Sequence, residues 1–298
     1  RFRVPGINFD TGDAADGQIL AWDTTLGQFE WVNNAAGVSD LDGLSNAKTD
    51  DTTYLGLGEN ALGTSTAIQN TGVGVNALCS LTTGPQNVAV GYNALTANTT
   101  GSQNIAVGAS ALAANVGGCF NIGIGTLTLG ANTSGACNIG IGFQTLPANN
   151  IGEGNVAIGE RSMTDNTSGF GNVALGYQSL ANNTIGNCNV AIGWEAGLCT
   201  LTNTGIVAVG ECALRLNTNV TNLGIGRCAL SSNTTSVGNT AVGYLAAGVN
   251  TAEGITAIGT CALASNTSGV RNTAIGCCTM RVNTTGAENT AVGANSLS

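Results

Sequence analysis

A fifteen-residue phrase, NVAVGYNALTANTTG at Asn87–Gly101, returns along the chain. It reappears as Asn104–Gly118 (NIAVGASALAANVGG), Asn121–Gly135 (NIGIGTLTLGANTSG) and Asn272–Gly286 (NTAIGCCTMRVNTTG). Repetition of this kind decides the architecture before any local reading does. The glycine closing each AVG or AIG triplet marks the copies: Gly58, Gly74, Gly91, Gly108, Gly125, Gly142, Gly159, Gly176, Gly193, Gly210, Gly226, Gly243, Gly259, Gly276 and Gly293. Markers lie 17 residues apart from Gly74 to Gly210 and 16 or 17 apart elsewhere, giving fifteen copies.

Each copy has fixed columns. Asn stands four residues before the marker, as in Asn87, Asn104, Asn121, Asn138, Asn155, Asn172 and Asn189. Large, mostly β-branched residues stand three and one before it, as in Val88 and Val90, with Ala or Gly between them. In a strand, residues two apart share a face. The large pair is expected to point into the interior and the Ala/Gly column away from it. Leu or Met stands four after the marker (Leu95, Leu112, Met163), and Asn-Thr-Ser/Thr, often with Gly, begins seven after it. The latter are turn residues.

Recurrent Gly, β-branched density and an apolar spacing of two exclude helix. A unit this short buries its apolar side only by stacking on its neighbours. The fold class expected is therefore all-β: a parallel β-solenoid, a flat two-sided β-roll of about fifteen coils, with a small N-terminal hairpin region. Each coil has room for two strands of about five residues and two turns. At about 4.8 Å per coil the rod is roughly 70 Å long. The Asn column is expected to form an amide ladder. Ile206 and Ile255 interrupt it, and Gly197 and Ala247 replace the usual Leu.

The N-x-A-[VI]-G core resembles the head repeat of trimeric autotransporter adhesins, and the longer phrase resembles repeat arrays of viral and phage tail-fibre proteins. The match covers about residues 54–298. It implies a left-handed roll, a homotrimer and, in the fibre proteins, a following self-cleaving chaperone domain. This chain stops mid-repeat at Leu297–Ser298, which reads as truncation or cleavage; its start at RFRVPG reads likewise. Subunits are expected to meet through the Ala/Gly column.

The composition agrees with a repeat fibre. Only 8% of 298 residues are charged, 45 are Gly and none is His; ordinary domains carry about a quarter charged residues. A net charge of −9 argues against nucleic acid, which calls for a basic footprint. No apolar run reaches the length that spans a bilayer, so no membrane insertion is expected. No cofactor is expected.

Residues 1–52 differ. Nine acidic residues against three basic ones contribute −6 of the −9. Gly17–Val32 reads as a hairpin turning near Thr24–Gly27, with Trp22, Phe29 and Trp31 as an aromatic plug. DTGDAADG (Asp10–Gly17) lacks calcium-loop spacing and reads as a solvated turn. Ala36–Thr52 reads as a polar linker. The expected domains are this acidic attachment segment, reaching a virion base or neighbouring fibre protein, and the roll over 53–298.

Ten cysteines occur without CxxC or His, so no zinc set is present. Cys212, Cys228, Cys261 and Cys278 occupy the position two after the marker. Cys212/Cys228 and Cys261/Cys278 fall in adjacent coils, within the Cα spacing of a disulfide; cross-coil bridges, interchain bridges and free thiols all fit. Tyr92, Phe143, Tyr177, Trp194 and Tyr244 share the column one after the marker, covering the bend or binding glycans. Asn98, Asn132, Asn166, Asn233, Asn266 and Asn283 begin glycosylation triplets, read here as by-products of the turn.

An enzyme is not expected. The repeats hold scattered carboxylates, and Glu160 and Glu195 lie two coils apart in different columns. The leading expectation is the shaft or receptor-binding segment of a viral or phage tail fibre or spike, on the virion surface. The alternative is a surface adhesin or extracellular filament, on a bacterial cell or outside it. A third is ice binding by the Thr column eight after the marker, as in Thr82, Thr99 and Thr133.

Overall fold

The computed structural model describes residues 18–23, 28–33, 47–49, 54–63 and 65–298. The DTGDAADG run, the Thr24–Gly27 turn and the side chains of the aromatic plug lie outside what is described. Strands β1 (Gln18–Asp23) and β2 (Gln28–Asn33) pair antiparallel, with Leu20 opposite Trp31 and Trp22 opposite Phe29. The stretch read as a linker supplies a strand, β3 (Ala47–Thr49), which pairs antiparallel with β4 (Leu55–Leu57).

From β4 to β18 (Thr290–Val292) the chain is a β-solenoid of fifteen parallel strands in sequence order, and no described residue is helical. Every strand is three residues long, one per coil. The register places like on like. β6 (Val88–Val90) pairs with β7 (Ile105–Val107) as Val88 opposite Ile105, Ala89 opposite Ala106 and Val90 opposite Val107. Marker glycines therefore stand in a row, and from Gly74 onward each Gly N–H donates to the strand of the preceding coil, as Gly91 does to the Val73 carbonyl at 2.7 Å.

The row explains the glycine. A Cβ on Gly91 would sit 2.6 Å from the Gly108 carbonyl oxygen, and its φ of +136° is closed to side chains. Coils touch backbone to backbone at this corner.

Each coil has one strand rather than two. The far side carries left-handed residues at alternate positions, such as Asn93 (φ 55°) and Leu95 (φ 50°). This breaks the pleat but not the ladder: Leu95 N–H still donates to Ala111, Ala97 to Ala113 and Thr99 to Val116 in the next coil. Cross-coil hydrogen bonds hold these residues in a conformation that is otherwise unfavourable for them.

The strand faces are the reverse of the sequence expectation. Ala89 is fully buried, while Val88 and Val90 are each 36% exposed. The same buried centre recurs in every coil strand. The interior is thin, and it is filled from the opposite side by the Leu column, with Leu78, Leu95, Leu112 and Leu129 fully buried. A Cβ on Gly123 would lie 3.3 Å from Leu112 Cγ, and one on Gly72 3.3 Å from Leu62 Cγ. Only Ala or Gly fits against the leucines, so the larger residues face outward. The Ala/Gly column is thus core, and it is not a subunit contact.

Candidate interaction surfaces

Two amide ladders stiffen the core. In the expected one, the Asn104 backbone N–H donates to Asn87 Oδ1 at 2.9 Å and its Nδ2 to the same oxygen at 3.1 Å. The pattern repeats through Asn121, Asn138, Asn155 and Asn172, and Asn189 keeps its backbone half. The second ladder was hidden among the turn residues. Asn98, Asn115, Asn132, Asn149, Asn166 and Asn183 are fully buried, and from Asn115 onward each Nδ2 reaches the Oδ1 one coil before it, as Asn115 reaches Asn98 at 2.8 Å. The two ladders meet on one carbonyl: Gly118 O accepts from Asn104 Nδ2 at 2.8 Å and Asn115 Nδ2 at 3.0 Å. A Cβ on Gly118 would strike Gly135 O at 2.4 Å, so glycine is required there too. Most of the glycosylation-like asparagines belong to this second column, and their amide nitrogens are already committed.

Both ladders break in one coil. Thr200 stands where Asn would continue the second column, and Asn183 Oδ1 is left buried without a partner. Ile206 interrupts the first, although its backbone N–H still donates to Asn189 Oδ1 at 3.1 Å. The break is compensated in volume. Gly197 leaves a gap in the Leu column, and Ile206 fills it: a Cβ on Gly197 would lie 3.3 Å from Ile206 Cδ1. Ala247 and Ile255 repeat the exchange, both buried.

The outward strand face is apolar along its length. Its inner column, one before the marker, is Val, Ile or Leu in all fifteen coils. The other column is Val, Ile or Leu except at Thr71, Thr240, Thr256, Thr273 and Thr290. No charge, Pro or Gly interrupts either. Charges sit elsewhere, at the bends, where Glu195–Arg215 (2.6 Å), Glu211–Arg227 (3.1 Å) and Glu288–Arg271 pair across coils. Such exposed pairs contribute little stability. The Glu195 pair holds the Arg215 guanidinium in its charged form through their hydrogen bond, and it engages the carboxylate considered above beside Glu160.

No family of known proteins, no curated protein and no solved structure matches this chain.

Tyr177 and Trp194 stack on each other at 4.3 Å, and the Arg227 guanidinium lies 5.8 Å over the Tyr244 ring. Ring faces at these coils are turned toward neighbours in the ladder, which favours bend-covering over a sugar platform. Threonine hydroxyls donate along the axis, Thr82 to Thr99 O at 2.8 Å and Thr184 to Leu201 O at 2.8 Å. Hydroxyls so committed are poorly placed to template ice. All ten cysteines are free thiols. Cys212 and Cys228 sit in consecutive coils, half-buried, as do Cys261 and Cys278. Burial first, then the neighbouring Cys228, pushes the Cys212 thiol up. Cys277 Sγ lies 3.5 Å from Cys278 Sγ, and that hydrogen bond raises the Cys277 thiol. Among the described residues, no group of three or more Cys, Asp or Glu is placed to hold a metal.

Proposed function

We propose that this protein is a structural fibre component: a rigid, homo-oligomeric rod that projects a binding surface from a larger assembly. The observation that supports it most is one-dimensional growth. Fifteen strands add along a single axis in strict register, every coil tied to the next by backbone ladders and, over most of the length, by two buried amide columns. Such a body gains length without gaining girth. Its buried polar side chains tie coil to coil, and three ion pairs join coils at the bends.

Within that class the repeat phrase favours the shaft or receptor-binding segment of a viral or phage tail fibre or spike, displayed on the virion in trimers and anchored through residues 1–52. Several copies on one particle raise avidity without new contacts. A cellular surface adhesin or extracellular filament shares the same rod and is the second reading. Labelling of native particles with antibody against the repeats, viewed by electron microscopy, separates the two. Label on fibres of virions supports the first; label on cell surfaces or long free filaments contradicts it.

A further inference from the structure

We infer that the outward Val/Ile face is covered by a second copy of this chain, packed parallel and in register. The inference rests on the fibre reading for its oligomer but specifies the surface, the partner and its direction. Three observations carry it.

The first is that the sheet is parallel over fifteen strands with one face bare. In α/β proteins all-parallel sheets have both faces covered, by the helices of their crossovers. Here Leu and Ala cover the inner face, and nothing in the chain's described residues covers the outer one.

The second is size. Ile105, Val107, Ile124, Ile158, Ile192 and Ile258 are each 36 to 40% exposed. These and the other outward positions, thirty in all and many of them only half-exposed, sum to on the order of 1,500 Å² of uncharged surface, against a few hundred on an ordinary monomer. A stable interface takes about 800 Å² per partner.

The third is self-complementarity. A partner covering this strip has to present an equally long, flat apolar strip with the same coil-to-coil period. The chain supplies one itself. Direction follows from the threonines. The outer column turns from Val, Ile and Leu to Thr at Thr240, Thr256, Thr273 and Thr290. Parallel copies set Thr beside Thr, where hydroxyls can bond each other, and Val or Ile beside their like. Antiparallel copies bury the hydroxyls of Thr290, Thr256 and Thr240 against Leu55, Val88 and Ile105, where they lack partners, and leave only Thr273 facing a threonine, Thr71.

The test uses the full chain. Light scattering after gel filtration reads its mass, and a photo-crosslinking residue placed at Val107 or at Ile275, followed by peptide mass spectrometry, reads direction. The expected result is a multiple of the monomer mass, with each probe crosslinking to its own neighbourhood in the other copy. The triple change V107T, I124T, I141T keeps strand propensity and uses a residue the face already contains. It is expected to weaken self-association at least tenfold while far-ultraviolet circular dichroism is unchanged. Crosslinks from Val107 to the Thr240–Thr290 end overturn the parallel register. An oligomer unmoved by the triple change, with its crosslinks elsewhere, overturns the surface. A monomer at micromolar concentration that is still rod-shaped in the microscope overturns the inference and leaves the rod itself standing.

Discussion

At the scale of single residues, the coil at Gly197–Ile206 is the most informative part of the molecule. Thr200 leaves Asn183 Oδ1 buried and unpartnered. An unsatisfied buried acceptor costs about 1–3 kcal/mol. Thr200→Asn rebuilds the missing rung, and urea titration is expected to show a gain of about 1 kcal/mol. No gain shows that the gap is already filled by another group. Gly197 and Ile206 form a second test. Gly197→Leu alone overfills the space beside Leu180 Cδ2 and Ile206 Cδ1, at a cost of about 1–3 kcal/mol. Adding Ile206→Asn restores the consensus pattern and is expected to recover most of it, a coupling of about 1 kcal/mol or more in a double-mutant cycle. Both substitutions were visible in the sequence as separate irregularities. Their pairing was not, because Gly197 and Ile206 belong to different columns and become neighbours only when the chain folds across the coil interior.

At the scale of the strand, the alternation was legible and its phase was not. Val88–Ala89–Val90 has a period of two whichever way it faces, and a shift of one residue exchanges the faces. Size alone sends Val inward. What decides the matter is the Leu column across the interior, which leaves room at Ala89, Ala106 and Gly123 for a methyl group or less. Ala106→Val is therefore expected to destabilise the rod by about 1–3 kcal/mol through overpacking. Val107→Thr in the same strand is expected to change the stability of a single chain by less than about 0.5 kcal/mol, as surface changes do. Chemical denaturation of both variants at low protein concentration checks the order, and a larger effect at Val107 would contradict the assigned phase. The second amide ladder was missed for a related reason. Asn98 and its equivalents sit in an Asn-Thr-Thr-Gly run whose composition reads as an exposed turn, yet the bend carries the amide inward, where it shares Gly101 O with Asn87 at 2.9 Å from each.

At the scale of the whole molecule, the period, the coil number, the parallel stacking and the first Asn ladder all follow from spacing, since a repeat of 16–17 residues with one invariant corner permits few packings. The far side of the coil did not follow: left-handed residues such as Leu95 are set by cross-coil hydrogen bonds that no local propensity reports. Equivalent positions of successive copies climb one axis in equal steps. Paired spin labels introduced through non-natural residues at Thr126 and Thr260, then at Thr126 and Ala294, measure this directly by dipolar spectroscopy in magnetically diluted samples. The expected separations are about 38 and 48 Å for eight and ten coils at roughly 4.8 Å each. Distances that fail to grow with the number of intervening coils would contradict this climb.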